Sequence, residues 1–125
     1  MLSEFVISQT AARYKIDNTP NNQQIENLYR VAYTLEIVRK IFKDQAIIVT
    51  SGYRSIDLNT AIKGSKTSAH MQGLAADFII PGWQIEDIVD LLQNKIGYDQ
   101  LINEFGRWVH IGLSKTNRQQ VLNVN

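Results

Sequence analysis

The chain has no cysteine, two histidines, two prolines, seven glycines and almost no net charge. Without cysteine, disulfides, thiolate nucleophiles and cysteine-based zinc sites are all excluded. The lack of disulfides in so small a protein also favours synthesis in the cytoplasm. No apolar run approaches the roughly 18 residues of a membrane-spanning helix, so stable membrane insertion is not expected. Residues 1–20 lack a basic stretch followed by an apolar one, so no signal peptide is read there. Thirteen basic against twelve acidic side chains leave a formal +1, which is no footprint for nucleic acid or a polybasic membrane surface. Any metal or acid–base chemistry must come from two imidazoles and the carboxylates.

What is present fits one globular domain: 125 residues, 44% of them hydrophobic and 20% charged. Asp17-Asn18-Thr19-Pro20 reads as a helix start, with Thr19 as N-cap and Pro20 at the first helical position. Ile25, Leu28, Ala32, Leu35, Val38 and Phe42 then recur every three or four residues, predicting one amphipathic helix to about Lys43. Residues 46–50 read as a short buried strand, 57–62 as a helical turn and 74–80 as a second strand. Ile85, Ile88, Val89 and Leu92 mark another helix ending near Gly97, and segments 98–103 and 107–113 form a predicted hairpin. The expected fold is α+β, a small antiparallel sheet with flanking helices over residues 1–113. Residues 114–125 are polar and read as a loosely held C-terminal tail.

Both histidines fall beside predicted strands. His70 precedes the strand that carries Asp77, and His110 lies on the last strand, on the same face as Trp108 and Gly112. If these strands pair antiparallel, an Asp and a His opposite one another stand about 4.5–5.5 Å apart at Cβ. Two histidines and a carboxylate would leave a tetrahedral ion one open position, as in catalytic rather than structural zinc sites. A lone histidine on a strand is more often hydrogen-bonded or solvated, and neither alone suggests a metal. Asp77 raises the case, because a carboxylate within the apolar run Leu74–Ile80 costs several kcal/mol unless compensated. A metal is one compensation and an arginine is another.

Taken in order, S-G-Y-R-S, then L-N-T-A-I-K-G-S-K-T-S-A-H-M-Q-G-L-A-A-D, then W-V-H-I-G resemble the M15 zinc peptidases, the D-alanyl-D-alanine carboxypeptidase-like enzymes that share their fold with the Hedgehog signalling domain. The upstream S-Q-T-A-A-R and D-N-T-P strings and D-Q-L-I-N-E-F extend the similarity over roughly residues 3–113. Small peptidoglycan hydrolases of phages and prophages look most alike. The resemblance implies one Zn²⁺ on His70, Asp77 and His110, with Arg54 holding substrate or polarising the scissile carbonyl. A guanidinium fork suits either role. Ser68 and Ser65 are candidates for substrate contact or for capping their loop, and Tyr53 and Trp108 for lining the groove or for the core.

One position departs from part of the family. Many members carry an acidic residue three places before the last ligand histidine, where this chain has Arg107. Glu104, six places before His110, is the candidate general base, with Asp99 as the alternative. A two-residue turn would pair Glu104 with Arg107 and face it away from His110, whereas a three-residue loop would pair it with Trp108 on the histidine's face. The resemblance further implies peptidoglycan peptide stems as substrate, cut as a DD-carboxypeptidase or endopeptidase by a zinc-activated water. It also implies an endolysin-like monomer made in the host cytoplasm and released through a holin-type pore to the periplasmic cell wall. A non-catalytic zinc-bearing module that binds peptidoglycan, or a phage tail-associated one, is the alternative.

Overall fold

A computed structural model describes residues 2–65 and 67–125. After a 3₁₀ turn at Leu2–Phe5 come α1 (Gln9–Tyr14), α2 (Asn22–Ile41), β1 (Ile48–Ser51) and α3 (Ile56–Ala61). A second 3₁₀ turn, Ala69–Gln72, leads into β2 (Ala75–Ile79), α4 (Ile85–Leu92), β3 (Gln100–Glu104), β4 (Trp108–Gly112) and β5 (Gln120–Val124). The strands form one sheet in the order β1-β2-β4-β3-β5. No helix among the described residues is long and apolar enough to cross a membrane.

The α+β expectation is met, and the sheet assigns its two faces by simple alternation. Ala76, Phe78, Leu101, Val109 and Ile111 point to one side and join the buried core with Leu28, Val31, Leu35 and Val38 of α2 and Ile85, Ile88, Val89 and Leu92 of α4. Each such side chain contributes about 1.5–3 kcal/mol when fully buried, so one stripe per helix suffices to hold it on the sheet. The opposite face has no long helix against it and carries Asp77, His110, Glu104 and Trp108.

Three expectations are corrected. The long helix is capped by Asn21, not Thr19: Asn21 Oδ1 accepts from the Gln24 N–H at 2.8 Å, and Gln24 Oε1 accepts from the Asn21 N–H at 2.8 Å. That reciprocal box satisfies two donors at once, while the Thr19 N–H donates to Asp17 Oδ1 at 3.0 Å and stays outside the helix. The C-terminal segment is not a loose tail, because β5 lies along β3. Its polar residues have partners: Gln100 Nε2 donates to Gln120 Oε1, and the Tyr98 N–H donates to Gln119 Oε1, both at 2.7 Å. Finally, the β3–β5 pairing is parallel, so the sheet is mixed rather than wholly antiparallel. Without β5 the ladder groups of β3 on that side would be an open edge.

Candidate metal centre

Strand register brings the separated residues together. Asp77 on β2 and Ile102 on β3 both lie opposite His110 on β4, and Ser51 on β1 lies opposite Asp77. The β3–β4 loop has three residues, Phe105–Arg107, so Glu104 pairs with Trp108 and shares the face of His110. Left-handed backbone at Phe105 (φ 59°) and Gly106 (φ 66°) closes that loop, and the Arg107 N–H donates to the Glu104 carbonyl at 3.0 Å. One residue fewer would have turned Glu104 to the core side.

His70 arrives from outside the sheet, on the 3₁₀ turn before β2. Ser68 caps that turn, its Oγ accepting from the His70 N–H at 3.2 Å. Gly73 ends it in a left-handed conformation (φ 72°), and any side chain there would run into the Gln24 carbonyl of α2, 2.6 Å from the Cβ position. The turn is thereby pressed on α2. One side-chain and one main-chain link tie it to the segment after β1: His70 Nδ1 lies 2.7 Å from the Gly52 carbonyl, and the Arg54 N–H donates to the His70 carbonyl at 3.0 Å.

His70, Asp77 and His110 are all buried, and each offers a ligand atom within 4.8 Å of the others. Asp77 Oδ1 stands 3.2 Å from His70 Nε2 and 2.9 Å from His110 Nδ1. A carbonyl only accepts, so His70 Nδ1 carries the proton towards Gly52. In the neutral ring Nε2 then bears a lone pair and faces a carboxylate oxygen. Two acceptors at that distance need a positive charge between or upon them, and a bound cation meets this demand without protonating either ring. The Gly52 carbonyl also supplies the outer hydrogen bond that fixes the tautomer of a metal-ligating histidine. The donor set of two imidazoles and one carboxylate therefore fits a metal ion.

Burial pushes the Asp77 carboxyl up, but the His110 and His70 imidazoles set against its Oδ1 outweigh it and hold the group well below the usual carboxylate range. Arg54 Nη2 lies 3.6 Å from Asp77 Oδ2, so the arginine weighed as an alternative compensation stands beside the histidines rather than replacing them. Burial lowers the Arg54 guanidinium, while the charges of Asp77 and Glu104 oppose that. Its Nε donates to Ser51 Oγ at 3.3 Å and its Nη1 to Asn59 Oδ1 at 3.4 Å. Glu104 Oε1 stands 3.8 Å from His110 Nδ1, and its side chain is about a quarter exposed (24%). A carboxylate so placed can reach water on one side and the histidine cluster on the other.

A groove of about 1040 Å³ opens along β1, with Arg54, Asp77, Glu104, Phe105 and Trp108 in its walls. Tyr53 also lines it, although its ring is largely in the core. Trp108 packs edge-to-face on Phe105 at 5.7 Å, and its Nε1 is buried without a protein partner among the described residues. Ser68 and Ser65 are not among the lining residues. Ser68 instead caps its turn, its Oγ accepting from the His70 N–H. Asp99 is removed from the base role too: Arg118 Nε and Nη2 each hold one of its oxygens at 2.9 Å. Missed by sequence reasoning were Phe105, Asn59 and Lys63. The Phe-Gly turn signal marked the first as a loop residue, but nothing local said that the loop faces a groove.

The sequence model of the family described as Peptidase M15 matches residues 1–112. No curated protein matches the chain.

Proposed function

The chain belongs to the peptidase M15 family, a metallopeptidase family, and on that premise we propose that it is a zinc-dependent hydrolase of amide bonds in the peptide stems of bacterial peptidoglycan. The observation that carries this reading is the convergence of His70, Asp77 and His110 beside a partly exposed carboxylate, Glu104, which lines a groove together with Asp77. His70 Nε2, the Asp77 carboxylate and His110 Nδ1 would hold the ion. When bound, zinc supplies Lewis acidity that makes water nucleophilic near neutral pH.

The remaining roles fall to side chains of the chain itself. Glu104 takes the proton of the attacking water on a carboxylate oxygen and returns it to the nitrogen of the leaving amine, general base and then general acid. Arg54, held by Ser51, Asn59 and Asp77, presents its guanidinium to the oxygen of the scissile carbonyl as negative charge develops there. No covalent intermediate is needed. That suits a chain without cysteine, whose two histidines are both committed to the cluster. The place of action in this reading is the bacterial cell wall, reached in the manner of a phage or prophage lysis enzyme.

Mass spectrometry of muropeptides after incubation with the zinc-loaded protein tests the reading and reports which bond is cut. The expected result is a pair of products, one with a new carboxyl terminus and the other with a new amine, absent when chelator is in excess. An unchanged muropeptide profile would point instead to a wall-binding module, and release unaffected by chelator would remove the metal from the reaction.

A further inference from the structure

The groove has a second cation whose place is built by buried polar contacts. Lys63 lines the same groove as Arg54, Asp77 and Glu104, with its own side chain exposed. Its backbone is left-handed (φ 58°), which a lysine adopts only where the surroundings impose it. The end of α3 sets it, the Lys63 and Gly64 N–H groups donating to the Thr60 and Asn59 carbonyls at 3.1 and 2.8 Å, and the Nδ2 of Asn59, 3% exposed, donates to the Ser65 carbonyl at 2.9 Å. The same Asn59 side chain accepts from Arg54 Nη1. A Cβ at Gly64 would overlap the Asn59 side chain and lie 3.2 Å from Arg54 Nη1, so the Lys63–Gly64 backbone is pressed on the arginine. One buried amide thus fastens the lysine loop to the guanidinium.

Arg54 already has an anion beside it, Asp77 Oδ2 at 3.6 Å. Lys63 makes no ion pair among the described residues, Glu4 of the lining included, while Asp77 and Glu104 are already engaged at the histidine cluster. We propose that Lys63 binds a free carboxylate of the substrate and so sets which stem peptides enter the groove. This rests on the peptidase reading above and deepens it. A stem peptide offers such a carboxylate at its C-terminus and at the α-position of its γ-linked D-glutamate, and a lysine ammonium serves either as a compact point charge.

Three synthetic pentapeptides separate the sources: L-Ala-γ-D-Glu-L-Lys-D-Ala-D-Ala, its C-terminal amide, and the analogue with D-isoglutamine at position two. Binding is measured by calorimetry on the zinc-loaded Glu104→Gln protein, with and without Lys63→Gln. Lys63→Gln should weaken the parent peptide roughly fivefold, a charged hydrogen bond discounted for exposure. One of the two amidated peptides should show no further loss on Lys63→Gln, since its recognised charge is already gone. Which amide behaves so identifies the carboxylate. Lys63→Arg should restore the parent affinity, and Lys63→Glu should weaken it further. Equal losses from all three peptides, no loss, or no binding at all would overturn the role of Lys63. Turnover of the parent peptide by the unmodified enzyme is a separate readout. Cleavage without the Lys63 pattern removes only the lysine, and the Lys63 pattern without cleavage removes only the peptidase reading.

Discussion

Asp77 and Asp99 are both held below the ordinary carboxylate range, yet they belong to opposite kinds of site. Asp99, at the foot of β3, is brought down to about 2, first by hydrogen bonds from Arg118. That pair lies at the surface, each nitrogen matched to one oxygen, with Ser114 Oγ a third partner at 3.3 Å. Asp77 is lowered against the opposing effect of its own burial, and by imidazoles that do not complete its coordination. The first arrangement is closed and can only stabilise. The second gathers two imidazoles on one carboxylate oxygen, beside Glu104 and at a groove. A depressed pKa is shared by both, so it is this convergence of ligand groups, not the pKa, that sets Asp77 apart.

Substitutions at the two sites should therefore differ in kind. Asp77→Asn should cost the most, with zinc affinity falling by more than the roughly 100-fold that loss of an outer hydrogen-bond partner costs a metal site. Competition with a chromophoric chelator measures it, and near-native affinity in the variant would dissolve the contrast. Next in size is Glu104→Gln, which should lower turnover by about 10²–10⁴ while zinc stays bound. A variant that turned over normally would take Glu104 out of the chemistry and leave the groove without a base.

Asp99→Asn should have the smallest effect, with turnover unchanged and only a modest loss of thermal stability at neutral pH. The sign follows from the lowered folded-state pKa. The stabilisation is fully present above the unfolded carboxyl value, about 3.9, and is lost as pH falls through about 2. The Tm difference between the two proteins should thus be widest near neutrality and close in acid. A difference that grew on acidification would contradict the pairing with Arg118.

Much of the comparison was legible beforehand on one side and not on the other. The spacing of His70, Asp77 and His110 could be read because each sits at a strand whose apolar pattern stands out, and antiparallel register then makes Asp77 and His110 neighbours. Asp99 looked like a free carboxylate because Arg118 lies 19 residues on, in a stretch whose polar composition resembles a solvated tail. Those polar side chains serve in pairing β5 to β3, and hydropathy carries no signal for that. The cap at Asn21 was misplaced for a related reason: Thr19-Pro20 is a sound helix start taken alone, and it lost to a box completed by Gln24.

The sequence by itself determined which chemistry was possible. With no cysteine and two histidines, a site of two imidazoles and a carboxylate was a metal centre open to this chain, and periodicity placed Asp77 and His110 on strands of an α+β fold, with His70 just before one. Only the tertiary structure decided which further carboxylate stands beside it. Side chains alternate along a strand, so a single residue in the β3–β4 loop determines whether Glu104 meets His110 or the core. The three-residue loop turns it to the histidine, and long-range packing likewise encloses Asp99 with Arg118 and draws Gly64 up beside Arg54.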